Sequence, residues 1–164
     1  MQNILVVGAG SVGGFFGAHL ARNNPNVSFL LRPRTCEAIR KNGLTIRSTA
    51  ATFTVHPNVS SNPRELPSPD LIILGVKTYD LDEVLDQLEP VLTRKTVILT
   101  LQNGVDVEDR ILAHLHRDCV VGGVAFIYSK IVEPGVIEYY KRGVVEVGEM
   151  MGHTSERVQA IVEL

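Results

Sequence analysis

Tryptophan is missing from this 164-residue sequence, and cysteine occurs only twice, at Cys36 and Cys119. Two isolated cysteines form neither a disulfide framework nor a metal-ligand spacing, and they suit a reducing compartment. No apolar run approaches the roughly 20 residues that a membrane-spanning helix needs. Excess charge of one sign is lacking too. A formal net charge of −2 gives no reason to expect nucleic acid or a membrane surface as a partner. A β-prone apolar run starts directly after Met1-Gln2-Asn3, so the expectation is a cytoplasmic protein without a signal or transit peptide.

Several catalytic signatures are missing as well. There is no Gly-x-Ser-x-Gly elbow, and no Lys-Ser/Thr pair follows the glycine loop as in a phosphate-transfer P-loop. His114 and His116 stand two apart and so do not share a helix face, and no carboxylate–histidine spacing supports a metal site. His19, His56 and His153 are expected in structural or surface roles. Neither cysteine has a neighbour that would activate a thiolate. Tyr139 and Tyr140 are expected to pack or to rim a surface.

What is present begins at the N-terminus. Ile4-Leu5-Val6-Val7 runs straight into Gly8-Ala9-Gly10-Ser11-Val12-Gly13, a Gly-x-Gly-x-x-Gly motif between a strand and a helix. Each glycine has its own task. Gly8 permits the tight turn, Gly10 lets a pyrophosphate reach the main chain, and Gly13 lets the helix lie close to the strand. The helix carries Val12, Phe15, Phe16 and Leu20 on one side, and Gly17 repeats Gly13 at i, i+4. Its unpaired N–H groups and its dipole attract phosphate. The pattern predicts dinucleotide binding.

The second strand, Val27–Leu31, completes a βαβ unit and ends in Arg32-Pro33-Arg34. An NAD site expects a carboxylate about 20 residues beyond the glycines, to accept from the ribose 2′-hydroxyl. None occurs here before Glu37. Guanidinium groups instead bind a 2′-phosphate with charge-assisted hydrogen bonds, so the cofactor expected is NADP(H), read by Arg32, with Arg34 pointing outward.

Further along, a short helix is expected from Thr35 to Lys41, followed by a small antiparallel excursion over 43–47 and 51–55. Residues 58–69 read as a connecting loop. Leu71–Val76 reads as a central strand buried on both faces, and the helix after it has Asp80 and Glu83 as a capping pair. A strand at 96–101, a helix over about 105–116, and β segments at 119–127, 136–140 and 144–147 follow. A helix then starts at Ser155. The alternation predicts one α/β domain over 1–164. It is a Rossmann-type, doubly wound, mainly parallel sheet flanked by helices, with some antiparallel segments. Gly8–Gly13, Lys77 and Asn103 each follow a predicted parallel strand, so they converge on the crevice beyond the strand ends. Lys77 offers an ammonium there, and Asn103 offers a donor and an acceptor.

These motifs, together with Gln102-Asn103-Gly104, Gly123-Val124-Ala125 and Glu133-Pro134-Gly135-Val136-Ile137, resemble the N-terminal domain of the 2-dehydropantoate 2-reductase (ketopantoate reductase) family. The resemblance spans nearly the whole chain. It implies NADPH-dependent reduction of 2-dehydropantoate to pantoate, a step toward pantothenate and coenzyme A. It also implies a cofactor set of Gly8, Ala9, Gly10, Ser11, Val12, Gly13, Arg32, Lys77, Asn103 and Ala125. Asn103 would touch substrate as well, and Ala125 would make a main-chain contact near the nicotinamide. The family's catalytic lysine and most substrate contacts belong to a helical C-terminal domain that lies beyond Leu164. No catalytic residue is therefore assigned here, Lys77 included, and no metal is expected. The partner expected is a small 2-keto acid. Self-association through the face the second domain would cover, as in a homodimer, is a further expectation. Two alternatives stay open: a related reductase of another 2-keto acid or carbonyl compound, and a non-enzymatic NADPH-sensing or interaction module.

Overall fold

The structure is a computed structural model that describes residues 1–115 and 118–164, with the main chain alone described at position 142. In chain order the elements are β1 (Ile4–Val7), α1 (Gly13–Ala21), β2 (Val27–Leu30), α2 (Pro33–Asn42), β3 (Leu44–Arg47), β4 (Thr52–Val55) and β5 (Asn58–Ser60). Then come β6 (Leu71–Leu74), α3 (Leu81–Leu88), β7 (Val97–Thr100), α4 (Val107–Leu115), β8 (Val120–Glu133), β9 (Val136–Gly148) and α5 (Glu156–Val162).

All nine strands join one sheet in the order β4-β3-β9-β8-β7-β6-β1-β2-β5. From β5 to β8 every neighbouring pair is parallel. Taken in chain order, these strands lie 3-2-1-4-5-6, the Rossmann arrangement, with the connection reversing direction beside β1. β1, β2, β6 and β7 are buried along their whole length because their apolar runs are covered on both faces. Alternate residues feed two cores. Ile4 and Val6 join Phe15, Phe29 and Ile39 on the side of α1 and α2. Leu5 and Val7 join Leu81, Leu85, Leu88 and Ile111 on the side of α3 and α4.

Past Gly122, β8 leaves β7 and turns back as β9 in a long, bulged antiparallel hairpin. β9 then takes β3 as a parallel neighbour, and β3 takes β4 as an antiparallel one. This arm of the sheet contacts α1, which also lies on β1 and β2, so the helix is enclosed by two parts of the same sheet. The join is aromatic: the Phe15 ring lies 5.1 Å from the Tyr139 ring, edge-on. The expected antiparallel excursion is therefore real, and it forms the far edge of the main sheet. Tyr139 packs inward, while Tyr140 is exposed and its hydroxyl donates to Glu138.

The sequence reading needs three corrections. Residues 58–60 are a strand, the third of the parallel set, where a loop was expected. The strand itself is only three residues long, flanked by Pro57 and by the 3-10 turn Pro63–Glu65, too short to show a period. The two β segments expected at 136–140 and 144–147 are one continuous strand. Asp80 forms no capping bond, and its carboxylate meets Arg32. The expected helix end at His116 lies outside the described residues.

Candidate functional site: the crevice at the strand ends

The turn out of β1 is built by glycines that press against each other. Gly8 has φ of +90°, and a Cβ there would come within 2.9 Å of Val76 Cγ1. A Cβ on Gly13 would come within 2.5 Å of the Gly8 carbonyl oxygen, so α1 can start this close to β1 only with glycine. Gly10 differs. Its Cβ would meet nothing nearer than 3.6 Å, so the chain's own packing does not explain a glycine there. Among the described residues, the N–H groups of Gly10, Ser11 and Val12 have no acceptor. Val12 at the helix start carries no side-chain cap. An uncrowded main chain at Gly10 and unpaired donors around it are what an anion needs.

The neighbouring strand ends supply side chains to the same edge. β2 leads through buried Leu31 to Arg32, which is exposed and extended, with Pro33 at the first turn of α2. Arg32 Nη2 donates to Asp80 Oδ1 at 2.7 Å. Lys77 follows β6 and is exposed; its carbonyl accepts from the Asp80 N–H, while its ammonium has no ion-pair or hydrogen-bond partner among the described residues. Asn103 follows β7 and is likewise exposed, next to Gly104 at φ +152°. Ala125 lies on β8 beyond its short pairing with β7, half-buried against the α1-side core. The topology thus brings the glycine turn, Arg32, Lys77 and Asn103 to the carboxyl ends of parallel strands, with Ala125 on the hairpin that extends past them.

Three supporting residues have no role assigned to them in the sequence expectations. Gly75 backs the glycine turn: a Cβ on it would lie 2.6 Å from Gly13 Cα. The signal was available as a lone glycine at the end of an apolar strand, which marks close main-chain approach. Gln102 Nε2 donates to the Val76 carbonyl at 3.0 Å, tying the turn that carries Asn103 to the one that carries Lys77. The Ser129 hydroxyl donates to the Ser11 carbonyl at 3.0 Å and fastens the β8–β9 hairpin to the glycine loop. A contact across 118 residues leaves no local trace in sequence.

Three carboxylates have displaced titration, and none of them is among the residues of this crevice. Arg157 and Ser155 donate to Glu149, and the Arg157 guanidinium holds that carboxyl down at about 2. Tyr140, Lys130 and Arg47 hold Glu138 at about 2 in the same way. Asp70, at the opposite end of β6, is lowered by the N–H groups of Asn3 and Gln2. An apolar cavity of about 330 Å³ lies over β6 and β7, between Phe16, Leu20 and Ile161. His19 is its one polar lining side chain among the described residues, so it does not compete with the crevice as a polar site. His19 itself bonds the Phe15 carbonyl, and His114 pairs with Asp86. Cys36 and Cys119 are buried. Among the described residues no cluster of His, Cys, Asp or Glu could hold a metal ion, and no helix is long and apolar enough to cross a membrane.

Strand order and glycine turn define a Rossmann-type domain. Residues 4–152 match the family described as ketopantoate reductase PanE/ApbA, and the chain belongs to that family. It is 33% identical over 167 residues to a 2-dehydropantoate 2-reductase of Pyrococcus horikoshii, covering 99% of this chain and 52% of the relative. It is 32% identical over 163 residues to the uncharacterized oxidoreductase YkpB of Bacillus subtilis, covering 99% of this chain and 54% of the relative. A crystal structure of 2-dehydropantoate 2-reductase from Geobacter metallireducens superposes with a TM-score of 0.90 at 34% identity, over 98% of this chain and 54% of that one. The chain therefore spans about half the length of the relatives it matches.

Proposed function

We propose that residues 1–164 form the NADP(H)-binding domain of a 2-dehydropantoate 2-reductase. The observation that carries this reading is the crevice: an uncapped glycine turn, uncrowded at Gly10, flanked by Arg32 and Lys77. The residues fit a dinucleotide. The N–H groups of Gly10, Ser11 and Val12 receive the pyrophosphate, with Gly8, Ala9 and Gly13 shaping the turn. Arg32 receives the 2′-phosphate, which favours NADPH over NADH. Lys77 lines the cleft and balances phosphate charge. Asn103 orients the carbonyl of the substrate and the near part of the cofactor, and Ala125 offers its main chain beside the nicotinamide.

NADPH supplies the hydride that reduces the ketone carbon of a 2-keto acid. The alkoxide that forms must be protonated and its charge stabilised, and Asn103 is the donor here that can reach toward it. The proton donor is assigned to the second half of the family's longer proteins.

The test is an assay of the protein joined to such a second half, following NADPH consumption with 2-dehydropantoate and a panel of other 2-keto acids. Rapid turnover of 2-dehydropantoate alone supports the reading. Preference for another keto acid moves the substrate and keeps the domain's role. NADPH binding without reduction of any carbonyl compound overturns the enzymatic reading.

A further inference from the structure

β1 lies between β2 and β6 in the sheet, yet side chains from beyond those two outer strands meet across it. Arg32 follows β2, Asp80 follows β6, and Nη2 of one stands 2.7 Å from Oδ1 of the other. The bond therefore spans the crevice outside the glycine turn.

The partners are unequal. The arginine side chain is 75% exposed and the aspartate 20%. A long exposed arginine samples many rotamers unless something holds it. Asp80 is the fixed partner, seated in a 3-10 turn where its own N–H bonds the Lys77 carbonyl at 3.0 Å. It also stands immediately before α3, the position where an aspartate normally caps a helix. It makes no such cap, and its carboxylate turns to Arg32 instead. Among the described residues one of the guanidinium's five donors is engaged, and the others have no acceptor.

We propose that Asp80 is a positioning residue for cofactor choice: it holds Arg32 over the crevice so that the free donors meet a 2′-phosphate. The inference rests on the reading of Arg32 as the phosphate contact. An unpaired carboxylate at this rim would repel phosphate. Paired with Arg32 its charge is offset, and recognition passes to the directed guanidinium N–H groups. Asp80 thereby favours NADPH although it is itself acidic.

The experiment is a set of titrations of the 164-residue chain with NADPH, NADH, 2′,5′-ADP and 5′-AMP, using the unmodified protein, Arg32→Ala, Asp80→Ala and Asp80→Asn. Thermal melting checks that each variant is folded. Arg32→Ala is expected to weaken NADPH and 2′,5′-ADP more than tenfold and NADH little. Asp80→Ala is expected to weaken NADPH and 2′,5′-ADP about three- to fivefold, the scale of one exposed ion pair, and to leave NADH and 5′-AMP unchanged. Asp80→Asn keeps an oxygen that accepts from Nη2 and is expected to recover most of the loss.

If Asp80→Ala binds NADPH as well as or more tightly than the unmodified chain, the proposal is overturned. Asp80 would then be silent or would compete with the phosphate for Arg32. Equal losses for all four ligands overturn it too, since Asp80 would then support the turn in general. When Arg32→Ala is selective and Asp80→Ala is not, this inference alone fails. When Arg32→Ala shows no selectivity, or the unmodified chain binds nothing, the Arg32 reading fails and this inference with it.

Discussion

Gly13 and Gly75 touch main chain to main chain: a Cβ on Gly75 would sit 2.6 Å from Gly13 Cα and 3.0 Å from its nitrogen. The start of α1 and the end of β6 are thereby held together, and the glycine turn is fixed between them. Gly75→Ala forces these segments apart and is expected to destabilise the fold by about 1–3 kcal/mol, the usual range for overpacking. Calorimetric melting would register this as a lowered Tm, and an unchanged Tm would refute the contact.

Gly10 gives the opposite expectation. Its Cβ would meet only the Gly75 carbonyl oxygen at 3.6 Å, an ordinary contact, so Gly10→Ala should fold with nearly the parental Tm. The added methyl group then stands where a pyrophosphate approaches the main chain, and dinucleotide affinity should fall at least about tenfold. Melting and ligand titration on the same sample check both halves. A variant that binds normally would remove Gly10 from the site.

Ser129→Ala removes the one side-chain bond between the β8–β9 hairpin and the glycine loop among the described residues. The loss expected is about 0.5–1.5 kcal/mol, appearing as weaker cofactor binding more than as lower stability. Hydrogen exchange at residues 9–12 should rise in the variant, and unaltered exchange together with unaltered affinity would contradict the role.

Glu149 links the end of β9 to α5 through Arg157 and Ser155. Its carboxyl is lowered from 4.5 to about 2 in the folded state, first by the Arg157 hydrogen bond. Because the folded value lies below the unfolded one, this contribution is complete above about pH 4.5 and is lost as the pH falls toward 2. Glu149→Gln should lower stability at neutral pH by about 1.5–3 kcal/mol, the range for a charge-assisted hydrogen bond. It should also flatten the acid limb of a Tm-against-pH plot. An identical acid limb in the variant would contradict the assignment.

Much of this architecture is legible in the sequence because its signals are local. Ile4–Val7 and Leu71–Leu74 are continuous apolar runs, and Gly8, Gly10 and Gly13 mark the turn without help from distant residues. Arg32 could be placed because a strand end fixes where the next side chain goes. The parts that were not legible depend on tertiary partners. β5 is a strand only because β2 offers it an edge. The hairpin's curl over α1 depends on Phe15 meeting Tyr139. Asp80, beside Glu83, carries a capping pattern, and a guanidinium 48 residues away overrides it.

The most direct measurement is calorimetric titration of the unmodified chain with NADPH and, separately, NADH. Nicotinamide fluorescence can follow the same binding, since no tryptophan is present for energy transfer. Saturable binding of one NADPH per chain, clearly tighter than NADH, is the result predicted. Tighter binding of NADH would contradict the role of Arg32, and failure to bind either would contradict the glycine crevice as a self-sufficient cofactor site.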